Sequence, residues 1–351
     1  MRVLIDVTHP AHVHFFRKPI ALLSGRGHEV QVTSRAKDVA LKLLDDYGIA
    51  HKILSAQTGS GPVAMLTELI KRDFHLLREV RAFRPQVLAA IGGTFIAHVG
   101  KLAGVPSIGF YDTENATLQN AITYPFLTRI CVPNCYHGPL PATRHERYAG
   151  YHELSYLHPN CFEPDRNIAL RNGLAPSMDT FLIRLVSWRA SHDIGENGWS
   201  RTLLRNTVSL LSGLGRVLIS AEGDLPDEYG EFRYRGNARE IHHVMGFCRL
   251  VVGESATMAS ESAMLGVPAI YAAATGRGYT DELECRYGLV RNVFRLEWGL
   301  LRDSIERALD TPRDFWVSAR ESMLTHCVDV AEYAASVILS CAESQRATGK
   351  G

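Results

Sequence analysis

The sequence predicts an α/β protein made of two successive parallel βα series, and three observations carry this. Short apolar runs alternate with amphipathic stretches from Val3 to Tyr111. The alternation resumes at Thr180 and continues to Asn292. Between them residues 125–165 lose the pattern and hold six prolines, which places the junction at about Asn160–Asp165. Strands alternating with helices at this spacing form doubly wound parallel sheets, which bind ligands at the carboxyl ends of their strands.

Val3–Val7 reads as the first strand, followed by the loop Thr8-His9-Pro10-Ala11-His12 and a helix from Val13 to Ser24. Glu29–Thr33 and Ile49–Leu54 are further strands around a helix from Asp38 to Tyr47. A long amphipathic segment, Val63–Phe83, precedes the strand Pro85–Ile91, which ends in Gly92-Gly93-Thr94. The helix Phe95–Ala103 and the strand Ser107–Tyr111 close the first series. The second series has strands at Thr180–Ser187, Arg216–Ser220, Phe232–Tyr234 and Leu289–Asn292, with helices at Arg201–Gly213 and Arg239–Phe247. Helices at Leu300–Ala308 and Pro312–Ser344 end the chain. The resulting boundaries are 1–163 and 164–335, with 336–351 as a helix end and frayed tail.

Residues 250–271 organise the second half. Leu250–Val252 end a buried strand, Gly253 opens a turn, and Ser255 or Thr257 can cap the helix that follows. Gly266 and Pro268 stop that helix before the strand Ala269-Ile270-Tyr271. A helix N-terminus at a strand end, here at Ala256, suits a diphosphate. Met258, Glu261, Ser262 and Leu265 share one stripe, so the Glu261 carboxylate needs hydrogen-bond donors. Two ribose hydroxyls would supply them; so would an arginine, with Ser255 serving only as the cap.

The totals narrow the classes. With 38 basic and 37 acidic residues the chain lacks the footprint of a nucleic-acid binder. Seven cysteines without a C-x-x-C suggest a reducing compartment. The first apolar run stops too soon for a signal peptide, and no run reaches the roughly 18–20 residues of a membrane span. A cytoplasmic protein is expected. Lys71, Arg72, Arg78 and Arg81 of Val63–Phe83 leave two readings, a solvated amphipathic helix or peripheral contact with a membrane.

Glu254-Ser255-Ala256-Thr257, Glu261 and Leu265-Gly266-Val267-Pro268 resemble the nucleotide-sugar signature of the GT-B superfamily, as found in UDP-GlcNAc 2-epimerases and in the GlcNAc transferase that makes lipid II. The epimerases have two glycines where this chain has Ala256-Thr257. A narrower resemblance covers nearly the whole chain. The runs Asp6–Phe16, Asp112–Ala116, Tyr156–Pro159, Val186–Asp193 and Gly253–Glu261 look like those of domain-of-unknown-function family 354. The resemblance implies the GT-B fold, two Rossmann-like βαβ domains facing a central cleft, with the acceptor on the first and the nucleotide sugar on the second. It implies that Ser255 and the turn amides hold a diphosphate and that Glu261 holds a ribose.

The catalytic candidates are His12, Asp112, Glu114 and His192. By resemblance, Ala11-His12-Val13 matches a Gly-Gly-His at the end of the first strand. His12 could take a proton from an acceptor hydroxyl or donate to a phosphate; it could instead cap its helix, with His14 facing the core. The spacing H-x-x-H-x-H also admits a metal with Asp6 or Asp112. Asp112-Thr113-Glu114-Asn115 follows a strand, so Asp112 and Glu114 are either functional or a cap and first-turn residue. By resemblance, Ser187, Arg189, Ser191 and His192 contact phosphates or sugar, while Trp188 and Asp193 could be packing and capping residues. His242 and His243 read as surface residues or as a base-reading loop. Asp281 and Glu282 either meet sugar hydroxyls or belong to a lid.

The expected activity is transfer of a sugar from a nucleoside-diphosphate sugar to a glycan, lipid or small-molecule acceptor, with no metal and no other cofactor. A UDP-GlcNAc 2-epimerase-like enzyme and a non-catalytic nucleotide-sugar-binding protein are the alternatives.

Overall fold

The computed structural model describes residues 1–36, 38–56, 62–114, 117–186 and 198–348. The chain divides into two compact units, Met1–Cys161 with Val328–Gly351, and Phe162–Cys327.

In the first unit β1 (Arg2–Val7) leads into α1 (Pro10–Gly25), and β2 (Glu29–Ala36) into α2 (Asp38–Asp46). Next come β3 (His51–Ala56), α3 (Pro62–Phe83), β4 (Val87–Ile91), α4 (Thr94–Ala103) and β5 (Ser107–Phe110). Then follow α5 (Thr117–Thr123), β6 (Arg129–Pro133), β7 (His145–Tyr148) and the single turn α6 (Leu154–Leu157). The seven strands form one parallel sheet in the order β3-β2-β1-β4-β5-β6-β7. Val3 pairs with Val30 on one side and Val87 on the other, so β1 is central and its apolar run is buried on both faces. Strands β6 and β7 lie in the stretch that read as irregular. They are short, and prolines flank or end them, so no periodicity marks them.

The second unit holds α7 (Arg166–Arg171), β8 (Thr180–Leu185), α8 (Arg201–Ser212), β9 (Arg216–Ala221), α9 (Ile241–Met245), β10 (Leu250–Gly253) and α10 (Ala256–Met264). It ends with β11 (Ala269–Ala272), α11 (Gly278–Cys285), β12 (Val290–Val293), α12 (Trp298–Asp310) and α13 (Arg313–Thr325). Its parallel sheet runs β12-β11-β10-β8-β9. The expected strand at Phe232–Tyr234 is only an isolated bridge between Ile219 and Arg233.

The helix expected over Pro312–Ser344 is two helices. The second, α14 (Val330–Thr348), starts where the Asp329 carboxylate accepts from Ala331 N and Glu332 N at 3.0 and 3.2 Å. Val330, Ala331, Ala334, Ala335, Ile338 and Cys341 bury one face of α14 in the first unit, and Val328 N donates to Ala149 O. Residues 328–335 therefore group with the first unit, not with the 164–335 segment drawn from the sequence.

Candidate functional site

In the second unit, β10 delivers the chain to the turn before α10. Gly253 has φ +156, and a Cβ on it would lie 2.0 Å from Arg184 O, so only glycine lets β10 approach β8 this closely. Gly253→Ala is expected to cost about 2–4 kcal/mol through backbone strain and overpacking. An unchanged denaturation midpoint would count against this.

Ser255 is the N-cap of α10, its Oγ accepting from Met258 N at 3.2 Å. The same hydroxyl keeps a proton to donate. Ala256 and Thr257 form the first turn. Glu261 is 5% exposed, and its Oε1 accepts from His242 Nε2 at 2.9 Å. His242 is thus a partner of Glu261, and it is buried rather than on the surface. Glu254 accepts from Val186 N through Oε2 and from Trp199 N through Oε1, both at 2.8 Å. Its carboxylate therefore binds both flanks of 187–197. Ser187, Arg189, Ser191 and His192, with Trp188 and Asp193, lie outside the described residues. Asp281 and Glu282 belong to α11, where Glu282 pairs with Arg286 at 3.3 Å and Asp281 accepts from Asn292 Nδ2 at 3.4 Å.

In the first unit, the carboxyl ends of β1, β4 and β5 surround a cavity of about 340 Å³. His9, not His12, caps α1: its Nδ1 accepts from Ala11 N at 3.2 Å, and Pro10 takes the first helical position. His12 is therefore inside the first turn and lines the cavity. Thr8 N donates to His12 Nδ1 across 3.4 Å, which leaves the proton of a neutral ring on Nε2. His14 packs by its ring against Tyr47 and Tyr156 at 6.0 and 5.3 Å, as a core-facing residue would.

Asp112 lines the same cavity. Its Oδ1 accepts from Thr113 Oγ1 at 3.0 Å, and its Oδ2 lies 3.1 Å from Nδ1 of buried His152. Burial alone would raise the Asp112 carboxyl. The charge and hydrogen bond of His152, the Thr113 hydroxyl and the charge of His12 together outweigh burial and lower it to about 2. Glu114 does not line the cavity, and its carboxylate accepts from His137 N at 3.4 Å. The structure thus brings His12 and Asp112 together and leaves Glu114 apart. Among the described residues no three His, Cys, Asp or Glu side chains are arranged to hold a metal ion.

Beneath the cavity lies an ion pair. Asp6 Oδ1 accepts from Arg72 Nη2 and from Thr33 Oγ1, both at 2.7 Å. Arg72 Nη1 donates to Ser55 Oγ at 2.8 Å, and the guanidinium carbon stacks 4.7 Å from the Phe95 ring centroid. Arg72 is fully buried, so it does not belong to the cationic surface read from α3. Ile70 and Phe74 of that helix are exposed. No helix among the described residues is long and apolar enough to cross a membrane.

His152, Asn120, Phe95 and the His242–Glu261 pairing escaped the sequence reading. His152 reaches Asp112 from 40 residues away along the chain, and no local pattern signals that contact. For Glu261 the signal was the carboxylate on an apolar stripe, which called for a donor without naming it.

Comparison with known proteins places this geometry. MurG of Acinetobacter baumannii superposes with a TM-score of 0.61 at 14% identity, covering 97% of this chain and 99% of that one. UDP-GlcNAc 2-epimerase of Neisseria meningitidis, bound to UDP-GlcNAc, gives 0.67 at 10% identity, covering 97% and 99%. The spinosyn rhamnosyltransferase SpnG, complexed with thymidine diphosphate, gives 0.61 at 14% identity, covering 94% and 98%. At these identities the likeness is one of fold, and the fold is GT-B. An uncharacterized protein of Methanocaldococcus jannaschii is 28% identical over 131 residues, which are 37% of this chain and 38% of that protein. The family model described as protein of unknown function (DUF354) matches residues 1–192. That match spans more than half of the 351 residues, and the chain belongs to the DUF354 family.

Proposed function

We propose that the chain is a glycosyltransferase that moves a sugar from a nucleoside-diphosphate donor to an acceptor hydroxyl. The second unit takes the donor. The N-terminus of α10 and the Ser255 hydroxyl receive the diphosphate, and Glu261, oriented by His242, accepts from the ribose hydroxyls. The first unit takes the acceptor. Asp112 accepts the acceptor's proton, and His12 donates Nε2–H to a substrate oxygen. Of the two roles open to His12 from its sequence, proton acceptor and donor, this takes the donor role, because Thr8 N donates to Nδ1. The observation that carries the reading is that Asp112 and His12 line the wall of one cavity, with the Asp112 carboxylate held 3.1 Å from His152 Nδ1. Solved relatives of the same fold are named as holding UDP-GlcNAc and thymidine diphosphate, which supports the ligand class. A cytoplasmic location with membrane contact through α3 belongs to the same proposal. It rests on exposed Ile70 and Phe74 beside exposed Lys71 and Arg78.

Incubation with UDP-, GDP- and TDP-sugars tests it. Release of nucleoside diphosphate only after a glycan or lipid extract is added is the expected result. Epimerised sugar without acceptor would replace transfer by epimerisation, and binding without turnover in every mixture would leave a binding protein. Glu261→Gln is expected to weaken nucleotide binding by about 1–3 kcal/mol, the scale for hydrogen bonds to a charged group. Unchanged calorimetric affinity would remove Glu261 from the donor site.

A further inference from the structure

Besides His12 and Asp112, the cavity of the first unit has lining residues that the proposed reaction does not use. Phe95 gives it an aromatic wall, with one ring face held by the Arg72 guanidinium. Two carboxylates, Asp6 and Asp112, and two carboxamides, Gln119 and Asn120, share the lining. Asn120 is 4% exposed. Neither its Nδ2 nor its Oδ1 meets a partner at hydrogen-bonding geometry, although the Tyr136 hydroxyl is close enough to interact. A carboxamide buried in this way costs about 1–3 kcal/mol unless something satisfies it.

The charge on the wall selects the ligand. Among the described residues that line the cavity none is lysine or arginine. The guanidinium of Arg72, held beside Phe95, is already committed to Asp6 and Ser55. A phosphate or carboxylate ligand would face the Asp112 carboxylate, with only the imidazoles of His9 and His12 on the wall to offset it. The N-terminus of α4 supplies donors instead, because its cap, Gly93, carries no side chain to satisfy the first N–H groups. Gly92 and Gly93 have φ of +72 and +79, which keeps the backbone bare there.

We infer that this cavity binds one uncharged sugar ring. Each hydroxyl of a sugar both donates and accepts. It can give its proton to Asp6 or Asp112 and take one from Asn120, Gln119 or the α4 amides. The C–H face of the ring packs on Phe95, as apolar faces do on aromatic walls. A volume of about 340 Å³ is at the small end of the roughly 300–1,000 Å³ of small-molecule sites, enough for one ring and not for a chain. That the ring is the acceptor rests on the transfer reading; that the cavity holds a neutral ring does not.

The full chain is mixed with millimolar glucose, galactose, mannose, N-acetylglucosamine or rhamnose, with and without saturating UDP or TDP. Binding is followed by saturation-transfer NMR, and inorganic phosphate and diphosphate are followed by ³¹P line broadening. At least one sugar should give a saturable signal. That affinity should fall about tenfold in Asn120→Leu and in Gln119→Ala. Gln119 is exposed, so its variant should keep the wild-type melting temperature and separates lost contacts from lost folding. Phosphate or diphosphate binding that falls in the same two variants would overturn the inference, as would silence from every sugar in all mixtures. Nucleotide affinity is measured by calorimetry on the same samples. Its absence would sink the donor reading and leave the sugar cavity standing; its presence without a sugar signal would sink the cavity alone.

Discussion

Asp112→Asn is expected to lower kcat by about 10²–10⁴-fold while nucleotide affinity stays unchanged. The substitution keeps size and shape but removes the negative charge that would accept a proton. Asp112 is well placed for that role, since it lines the cavity with His12 and its Oδ2 is fixed 3.1 Å from His152 Nδ1. The pH dependence separates this role from a structural one. The carboxyl is lowered to about 2, below its ordinary 3.8, so for as long as His152 carries its proton their contact stabilises the fold fully above pH 3.8 and loses that contribution as pH falls through about 2. Asp112 is therefore ionised at every pH where the chain is assayed. Any acid limb of kcat/KM between about pH 5 and 7 must come from an imidazole, and it should persist in the residual activity of Asp112→Asn. Wild-type turnover in Asp112→Asn would remove the base; a lost nucleotide affinity would point to a damaged fold.

The parts of the fold that were legible are those where burial is strongest. Val3–Val7 and Leu250–Val252 each pair with a neighbouring strand on both sides, so they are apolar, Asp6 apart, and announce strands. Helix starts were harder. The apolar periodicity places the start of α1 at Val13, three residues late, whereas Pro10 at the first helical position and His9 as the cap set it. The break before α14 carried a usable signal, Asp329 followed three residues later by Glu332, which is a cap pattern inside an apparently continuous helix.

The candidate site was legible to the extent that parallel sheets place strand ends together. His12 and Asp112 each follow a strand, and the parallel topology brings the carboxyl ends of β1 and β5 to the same edge of the sheet, on either side of β4. Glu114 follows the same strand as Asp112 two residues later, yet it turns to His137 N instead. Proximity in sequence did not decide which carboxylate lines the cavity. The contacts that finish the site, His152 to Asp112 and His242 to Glu261, join separate elements and depend on the finished packing.

Arg72→Met is expected to destabilise the first unit by about 3–5 kcal/mol, the cost of leaving one partner of a buried ion pair uncompensated. Asp6 and Arg72 have side-chain exposures of 2% and 0%, so water cannot replace the lost partner. Asp6 would keep only the Thr33 hydroxyl, and Ser55 and the Phe95 ring would lose the guanidinium. The double variant Asp6→Leu with Arg72→Met removes both charges and should recover most of the loss, because two apolar side chains of similar size pack without a desolvation penalty. Urea unfolding measures both, read as the shift in the first unit's transition. A shift below about 1 kcal/mol for Arg72→Met would mean that the pair is solvated and behaves as a surface bridge. Recovery of stability in the double variant should not restore function. Asp6 is part of the cavity wall and Arg72 holds one face of Phe95, so the rescued fold should still bind its sugar poorly. A double variant that regains both stability and full sugar affinity would show that the pair serves the fold alone.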